Sequence, residues 1–234
     1  MNQKNAYFDI NSLKNARLGA ELSLWSADLG KLGEDILRVD SLADFYHIDV
    51  TDGHLSPVLT FFPDLMSAAK KYTDRPFHVH LMVKEDLLYN QIDQFVEAGC
   101  EIISIQAENH DLQYYIDYIH KSGCAAGVAF QLHTPISTIS EWIDKVEIVT
   151  LLNVEIGLKS SHISPMANER LAEARKIINS LPLDSRPLLS ADGCIREHTV
   201  PQLRAHGADY VVMGSLAFNA EDYSERMAWI HSLS

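Results

Sequence analysis

Eight short apolar runs recur along the 234-residue chain, and between most of them lie longer stretches whose apolar residues fall three and four apart. The runs are Gly19–Leu24, Phe45–Val50, Phe77–Met82, Ile102–Gln106, Ala126–Gln131, Glu147–Asn153, Pro187–Ala191 and Tyr210–Gly214. The helical period is carried by Leu87–Ala98, Leu112–Ser122, Asn168–Leu181 and His198–His206, and Pro201 sets the start of the last near Thr199. Three junctions repeat one signal just ahead of a strand, "EAGCEIIS", "KSGCAAGV" and "AHGADYVV". Gly99, Gly123 and Gly207 fit C-terminal helix caps, where the backbone turns left-handed and glycine has no Cβ to oppose it. Strand, helix, glycine cap and strand in succession are the pattern of parallel crossovers. Eight such units favour a closed TIM-type (β/α)8 barrel over an open doubly wound sheet, and no GxGxxG follows the first strand to support the latter. No linker, low-complexity segment or charge block divides the chain, so one domain is expected. Residues 18–234 would form the barrel, with residues 1–17 as an extension that packs beneath it or frays.

Lysine and arginine total 19 and aspartate and glutamate 32, a formal charge of −13. That balance argues against a nucleic-acid or acidic-membrane partner. A small anion is still compatible, because backbone N–H groups can hold a phosphate without net charge. Cys100, Cys124 and Cys194 are odd in number and widely spaced, which suits free thiols in a reducing compartment. The polar N-terminus has no signal-peptide core, and no apolar stretch is long enough to span a bilayer, so a cytoplasmic location is expected.

Polar side chains at strand ends are the departure from the apolar background. His47 and Asp49 lie two apart in "FYHIDVTDGH", on one side of their strand, and His78 and His80 do the same in "FHVHLM". Asp192 closes strand seven in "LLSADGC". The C-terminal ends of barrel strands surround the active site of such enzymes. Imidazoles and carboxylates converging there suit a divalent transition metal. A plainer reading stands beside it: a strand histidine is more often a satisfied core residue, and a single aspartate can cap the next helix. The coincidence of His47, Asp49, His80 and Asp192 at strand ends favours the metal, because two desolvated carboxylates need a compensating cation. Gly193 and Cys194 after strand seven, with Gly214 and Ser215 after strand eight, match the usual phosphate cradle of barrel enzymes, although glycines there also permit tight turns.

The same segments resemble the ribulose-phosphate 3-epimerase family over nearly the whole chain after Leu18. "SLWSADLGKLGED" is similar to the family's SILSADF, "HIDVTDGHLSP" to HVDVMDGxFVP and "HVHLMV" to DVHLM. "ADGCI" and "GADYVVMGSLAF" are similar to VDGGI and GAD…GSAIF. The resemblance implies an isomerase that inverts C3 of a phosphorylated ketose, either ribulose 5-phosphate/xylulose 5-phosphate or a related pentulose or hexulose phosphate. It implies one divalent metal ion (Zn, Fe, Mn or Co) held by His47, Asp49, His80 and Asp192. Asp49 and Asp192 would also be the acid/base pair, one removing the C3 proton and the other returning one to the opposite face through an enediolate. Ser23 would touch the substrate, and Gly193, Cys194, Gly214 and Ser215 would hold its phosphate.

Several positions depart from the family's motifs. Its glycine-rich NPGFGGQ loop after strand six reads Asn153-Val154-Glu155-Ile156-Gly157-Leu158-Lys159 here, placing a carboxylate where a phosphate is expected, with Lys159 nearby to compensate. Trp25 replaces a smaller aliphatic residue, Thr51 and Thr150 stand where methionine is usual, and Met82 remains. NPxTP becomes Gln131-Leu132-His133-Thr134-Pro135, HxE becomes Gln106-Ala107-Glu108, and the second glycine of DGG is Cys194. Intact ligands with altered loops leave room for a substrate other than ribulose 5-phosphate, such as a six-carbon ketose phosphate. The altered loop also motivates an alternative, a catalytically impaired barrel that binds sugar phosphates in a regulatory role. Aldol cleavage fits less well, since it typically recruits a Schiff-base lysine and only Lys159 lies near a strand end. A homo-oligomer is expected, and Trp142 and Trp229 fit either a subunit interface or packing of the outer helices.

Overall fold

The structure, a computed structural model, describes residues 7–158 and 162–233, so Lys159 lies outside the described residues. Eight parallel strands close in chain order, with β1 bonded to both β2 and β8. They are β1 (Gly19–Ser23), β2 (Phe45–Thr51), β3 (Phe77–Met82), β4 (Ile102–Gln106), β5 (Ala125–Phe130), β6 (Ile148–Leu152), β7 (Leu188–Asp192) and β8 (Tyr210–Met213). Helices α1 (Leu32–Val39), α2 (Pro63–Ala69), α3 (Glu85–Glu97), α4 (Leu112–Lys121), α5 (Ala167–Ile178), α6 (Val200–Ala205), α7 (Ser215–Phe218) and α8 (Tyr223–Ser232) fall between and after them. Six of the eight strands differ from the sequence-based bounds by a residue or two: Leu24, for instance, leaves β1 for a 3-10 turn, and Asp192 joins β7. Gly99, Gly123 and Gly207 have φ of 88°, 91° and 109°, the left-handed backbone expected after α3, α4 and α6. Thr199 stands at the N-cap position of α6 without a side-chain capping bond, and Pro201 lies in the first turn, where its missing N–H removes no helical bond.

Alternation along the strands divides the apolar residues into two groups. Outward residues such as Ile48, Val79, Ile105, Val128, Leu151 and Val211 pack with the helices in one continuous core. At the N-terminal mouth a smaller cluster of Phe45, Ile102, Ala125, Ile148, Leu188 and Tyr210 is covered by Ile10 and Leu13 of the N-terminal segment. The Tyr210 hydroxyl donates to the Leu13 carbonyl at 2.6 Å, which fixes that segment under the barrel. Toward the C-terminal mouth the buried positions turn polar, with Glu21, His47, His78, Ser104 and Ser190, then Ser23, Asp49, His80 and Gln106. The strands therefore do not read as uniformly apolar, because the upper barrel interior is built for chemistry. Trp142 is buried and stacks on Phe130 with centroids 5.7 Å apart, and Trp229 is half-buried beside Arg226, so packing of the outer layer accounts for both.

Asp44 ties three elements together at the N-terminal end. Its carboxylate, only 10% exposed, accepts from the Arg17 guanidinium at 2.6 and 3.1 Å and from the Ala20 amide at 2.9 Å, and it faces His231 of α8 at 3.3 Å. Burial alone would raise its pKa, but the bonds from His231, Arg17 and Ala20 outweigh burial and hold it at about 2 against an ordinary 3.8. A depressed folded-state pKa stabilises above the unfolded value and is lost as pH falls through the folded one. Stability should therefore drop by about 2 kcal/mol between roughly pH 4 and pH 2. Acid titration of the thermal midpoint checks this, and Asp44→Asn should flatten that part of the curve.

Candidate active site

The β2–β3 register sets Asp49 beside His80 and His47 beside His78. The donor atoms of His47, Asp49, His80 and Asp192 all lie within 4.8 Å of one another at the C-terminal mouth. His47 Nε2 is 3.3 Å from Asp49 Oδ1, and His80 Nδ1 is 3.9 Å from both Asp49 Oδ1 and Asp192 Oδ2. Both histidines are fully buried. Of the predicted ligands, all four are thus brought together.

The hydrogen-bond network assigns the tautomers. His47 Nδ1–H donates to Glu21 Oε2 at 2.8 Å, and His80 Nε2–H donates at 2.6 Å to the Gln106 amide, turned so that its oxygen faces the ring. The opposite nitrogens, His47 Nε2 and His80 Nδ1, are buried without a hydrogen-bond partner. Unpaired buried polar atoms are rare and need a reason. Here both orphaned lone pairs face two carboxylates, at separations suited to donors that share one ion at about 2.0–2.2 Å from each. The donor set therefore fits a divalent cation, and the partners on the far side of each ring are those that orient metal-binding imidazoles.

Electrostatics agree. Asp192 is pushed up to about 7, first by burial and then by the Asp49 charge. For Asp49, burial also raises the pKa, but the charge of His47, in the protonated form the ring takes without a metal, outweighs it and leaves the group at about 2. Ser23 Oγ donates to Asp49 Oδ2 at 2.8 Å and supports the ionised form. His80 is pushed down to about 3, mainly by burial, and so stays neutral and able to donate its lone pair. Two carboxylates whose environments drive their pKa values apart are suited to opposite proton-transfer roles.

Above the cluster opens a cavity of about 390 Å³ lined by Ser23, Asp49 and Asp192 at its floor and by Gly193, Cys194, Gly214 and Ser215 along one side. Gly193 has φ of 95°, and a Cβ there would press on Val154; Cys194 follows at φ 52°, the one non-glycine with positive φ among the described residues. Glu155 of the altered loop also lines the cavity but pairs with His133 at 3.5 Å. Arg196 is the one cationic side chain lining the cavity among the described residues, and no lysine among them does. Sequence reasoning missed Arg196 and Glu21, and it gave Gln106 no role. The family's HxE position alone drew attention to Gln106, and nothing in the strand pattern singled out Glu21.

These features define a (β/α)8 barrel with two buried histidines and two carboxylates gathered at its C-terminal mouth. The model of the ribulose-phosphate 3 epimerase family matches residues 20–218. Ribulose-phosphate 3-epimerase of Buchnera aphidicola subsp. Acyrthosiphon pisum is 32% identical over 222 residues, covering 91% of this chain and 96% of that one. The enzyme of the same name from Escherichia coli K12 is 32% identical over 206 residues, covering 87% and 90%. Among solved structures, 3-hexulose-6-phosphate synthase superposes with a TM-score of 0.65 at 16% identity over 93% of this chain and 99% of that one, a likeness of fold. The chain belongs to the ribulose-phosphate 3-epimerase family and is an epimerase. Among the described residues no helix is long and apolar enough to cross a membrane.

Proposed function

We propose that the protein inverts C3 of a ketose phosphate by proton transfer between Asp49 and Asp192, with ribulose 5-phosphate and xylulose 5-phosphate as the leading pair. The observation that carries this reading is the pair of buried carboxylates facing two orphaned imidazole nitrogens at the barrel mouth. His47 Nε2, His80 Nδ1, Asp49 and Asp192 would hold one divalent ion, and the N/O donor set suits Zn, Fe, Mn or Co. When bound, that ion supplies positive charge beside the enediolate, worth several kcal/mol of the barrier.

The chain's own residues do the rest. Asp49, ionised and steadied by Ser23, is suited to take the C3 proton, and Asp192, readily protonated near neutral pH, to return one to the other face. The reverse reaction exchanges the two roles. Backbone N–H groups around Gly193, Cys194, Gly214 and Ser215 would hold the phosphate. Arg196 beside them offsets the Glu155 carboxylate, which its pairing with His133 already moderates. Trp25 and Leu158 narrow the same cavity, so the preferred sugar is set by these two and Glu155.

The test is incubation with ribulose 5-phosphate and a panel of pentulose and hexulose phosphates in heavy water. Deuterium at C3 together with the epimeric product supports the reading. A protein that binds metal and sugar phosphate yet exchanges no C3 proton on any of them is instead a sugar-phosphate-binding barrel.

A further inference from the structure

Beneath the proposed metal ligands lies a third carboxylate, Glu21 of β1, with no exposed surface. Its Oε2 accepts from His47 Nδ1 at 2.8 Å and from His78 Nδ1 at 2.7 Å, and its Oε1 accepts from the Ser190 hydroxyl. His78 Nε2 in turn meets Ser104 Oγ at 2.7 Å. Space for that hydroxyl exists because residue 127 is glycine; a Cβ there would collide with Ser104 Oγ. Five strands besides β1 thus contribute to the setting of a single acid. Such a group is too costly to bury unless its bonds and charge serve the structure around it.

Glu21, His47 and His78 also lie close enough to suggest a second ion site. Their bonding argues otherwise. Both nitrogens of His78 and the Nδ1 of His47 are already paired at hydrogen-bond distance, and none of them is orphaned. The atom left over in the whole network is His47 Nε2, which faces the aspartates above. The lower cluster is therefore a hydrogen-bonded support for the upper one.

We infer that Glu21 is a positioning residue that holds His47 with its Nδ1 protonated and presents Nε2 to the metal. This rests on the metal-site reading above. The family motif DVHLM has Asp where this chain has His78, so a carboxylate at that neighbouring position on β3 offers a way to restore an acceptor beside His47.

The experiment is metal competition against a chelator of known affinity, on the full chain and with zinc as the probe. Glu21→Gln should weaken zinc binding by about 10- to 100-fold, the usual effect of removing such a partner. The metal-free protein should also lose stability, because the buried hydrogen bonds of Glu21 go with it, so zinc affinity is read on protein that circular dichroism shows to be folded. Adding His78→Asp to Glu21→Gln should recover much of the lost affinity. Zinc affinity within about twofold of the unmodified protein in Glu21→Gln would overturn the inference while leaving the metal site itself intact. An unmodified protein that takes up no zinc, iron, manganese or cobalt removes both. Should Glu21→Gln fold poorly, histidine ¹⁵N spectra of the zinc-loaded unmodified protein decide: a slowly exchanging Nδ1 proton on His47 is expected, and zinc on Nδ1 contradicts the assignment.

Discussion

Asp192→Asn should lower the rate of epimerisation by about 10²–10⁴-fold, the range typical of losing a general acid/base, without unfolding the barrel. The replacement keeps the side chain's size and removes both its proton-transfer capacity and its negative charge. It should not weaken the metal-free fold. Burial and the Asp49 charge already oppose ionisation of Asp192 and raise its pKa to about 7, so its anion works against folding at neutral pH and an amide does not. Asp49→Asn should give a loss of similar size, since it removes the partner acid and leaves Ser23 facing a neutral group. Turnover measured alongside circular dichroism separates lost chemistry from lost structure. Either variant working at the full rate with intact structure excludes the two-carboxylate route.

Stripping divalent metal with a chelator should abolish epimerisation and also lower the thermal midpoint. A ligand that binds the folded state alone stabilises it by about 4 kcal/mol when its free concentration is 1,000 times its dissociation constant. For a chain of this size each kcal/mol moves the midpoint by about 2–4 °C, so saturating metal should raise it by about 8–16 °C. The effect should reverse on chelation and return on adding the metal back. His47→Ala and His80→Ala should lose most of this shift, because each removes one of the orphaned nitrogens that face the aspartates. A midpoint that ignores every transition metal tested is incompatible with the site as described.

Much of the fold was legible because its signals are local. Strand length, helical period and the left-handed glycines at 99, 123 and 207 each act within a few residues, and together they predict the parallel closed barrel. Strand ends were less legible, since caps and turns decide them: Leu24, read as the last residue of the first strand, lies in a 3-10 turn instead. The cluster was partly legible. A spacing of two places His47 with Asp49 and His78 with His80 on one side of a strand, but it carries no information about height in the barrel. Register supplies that, and it separates His80, which faces the aspartates, from His78, which binds Glu21 and Ser104 below. Glu21 was invisible for the same reason. Within "GAELSL" it is one acid in an apolar strand, and its partners come from β2, β3 and β7, which meet it only when the barrel closes. The resemblance carried its motif positions but drew no attention to the residues between them, which is why Arg196 also escaped notice.

Anomalous scattering from crystals of the metal-loaded protein tests the account at its root. One ion per chain bonded to His47 Nε2, His80 Nδ1 and the carboxylates of Asp49 and Asp192 is the expected result. An ion held elsewhere, or density at that point that leaves either imidazole nitrogen uncoordinated, contradicts it.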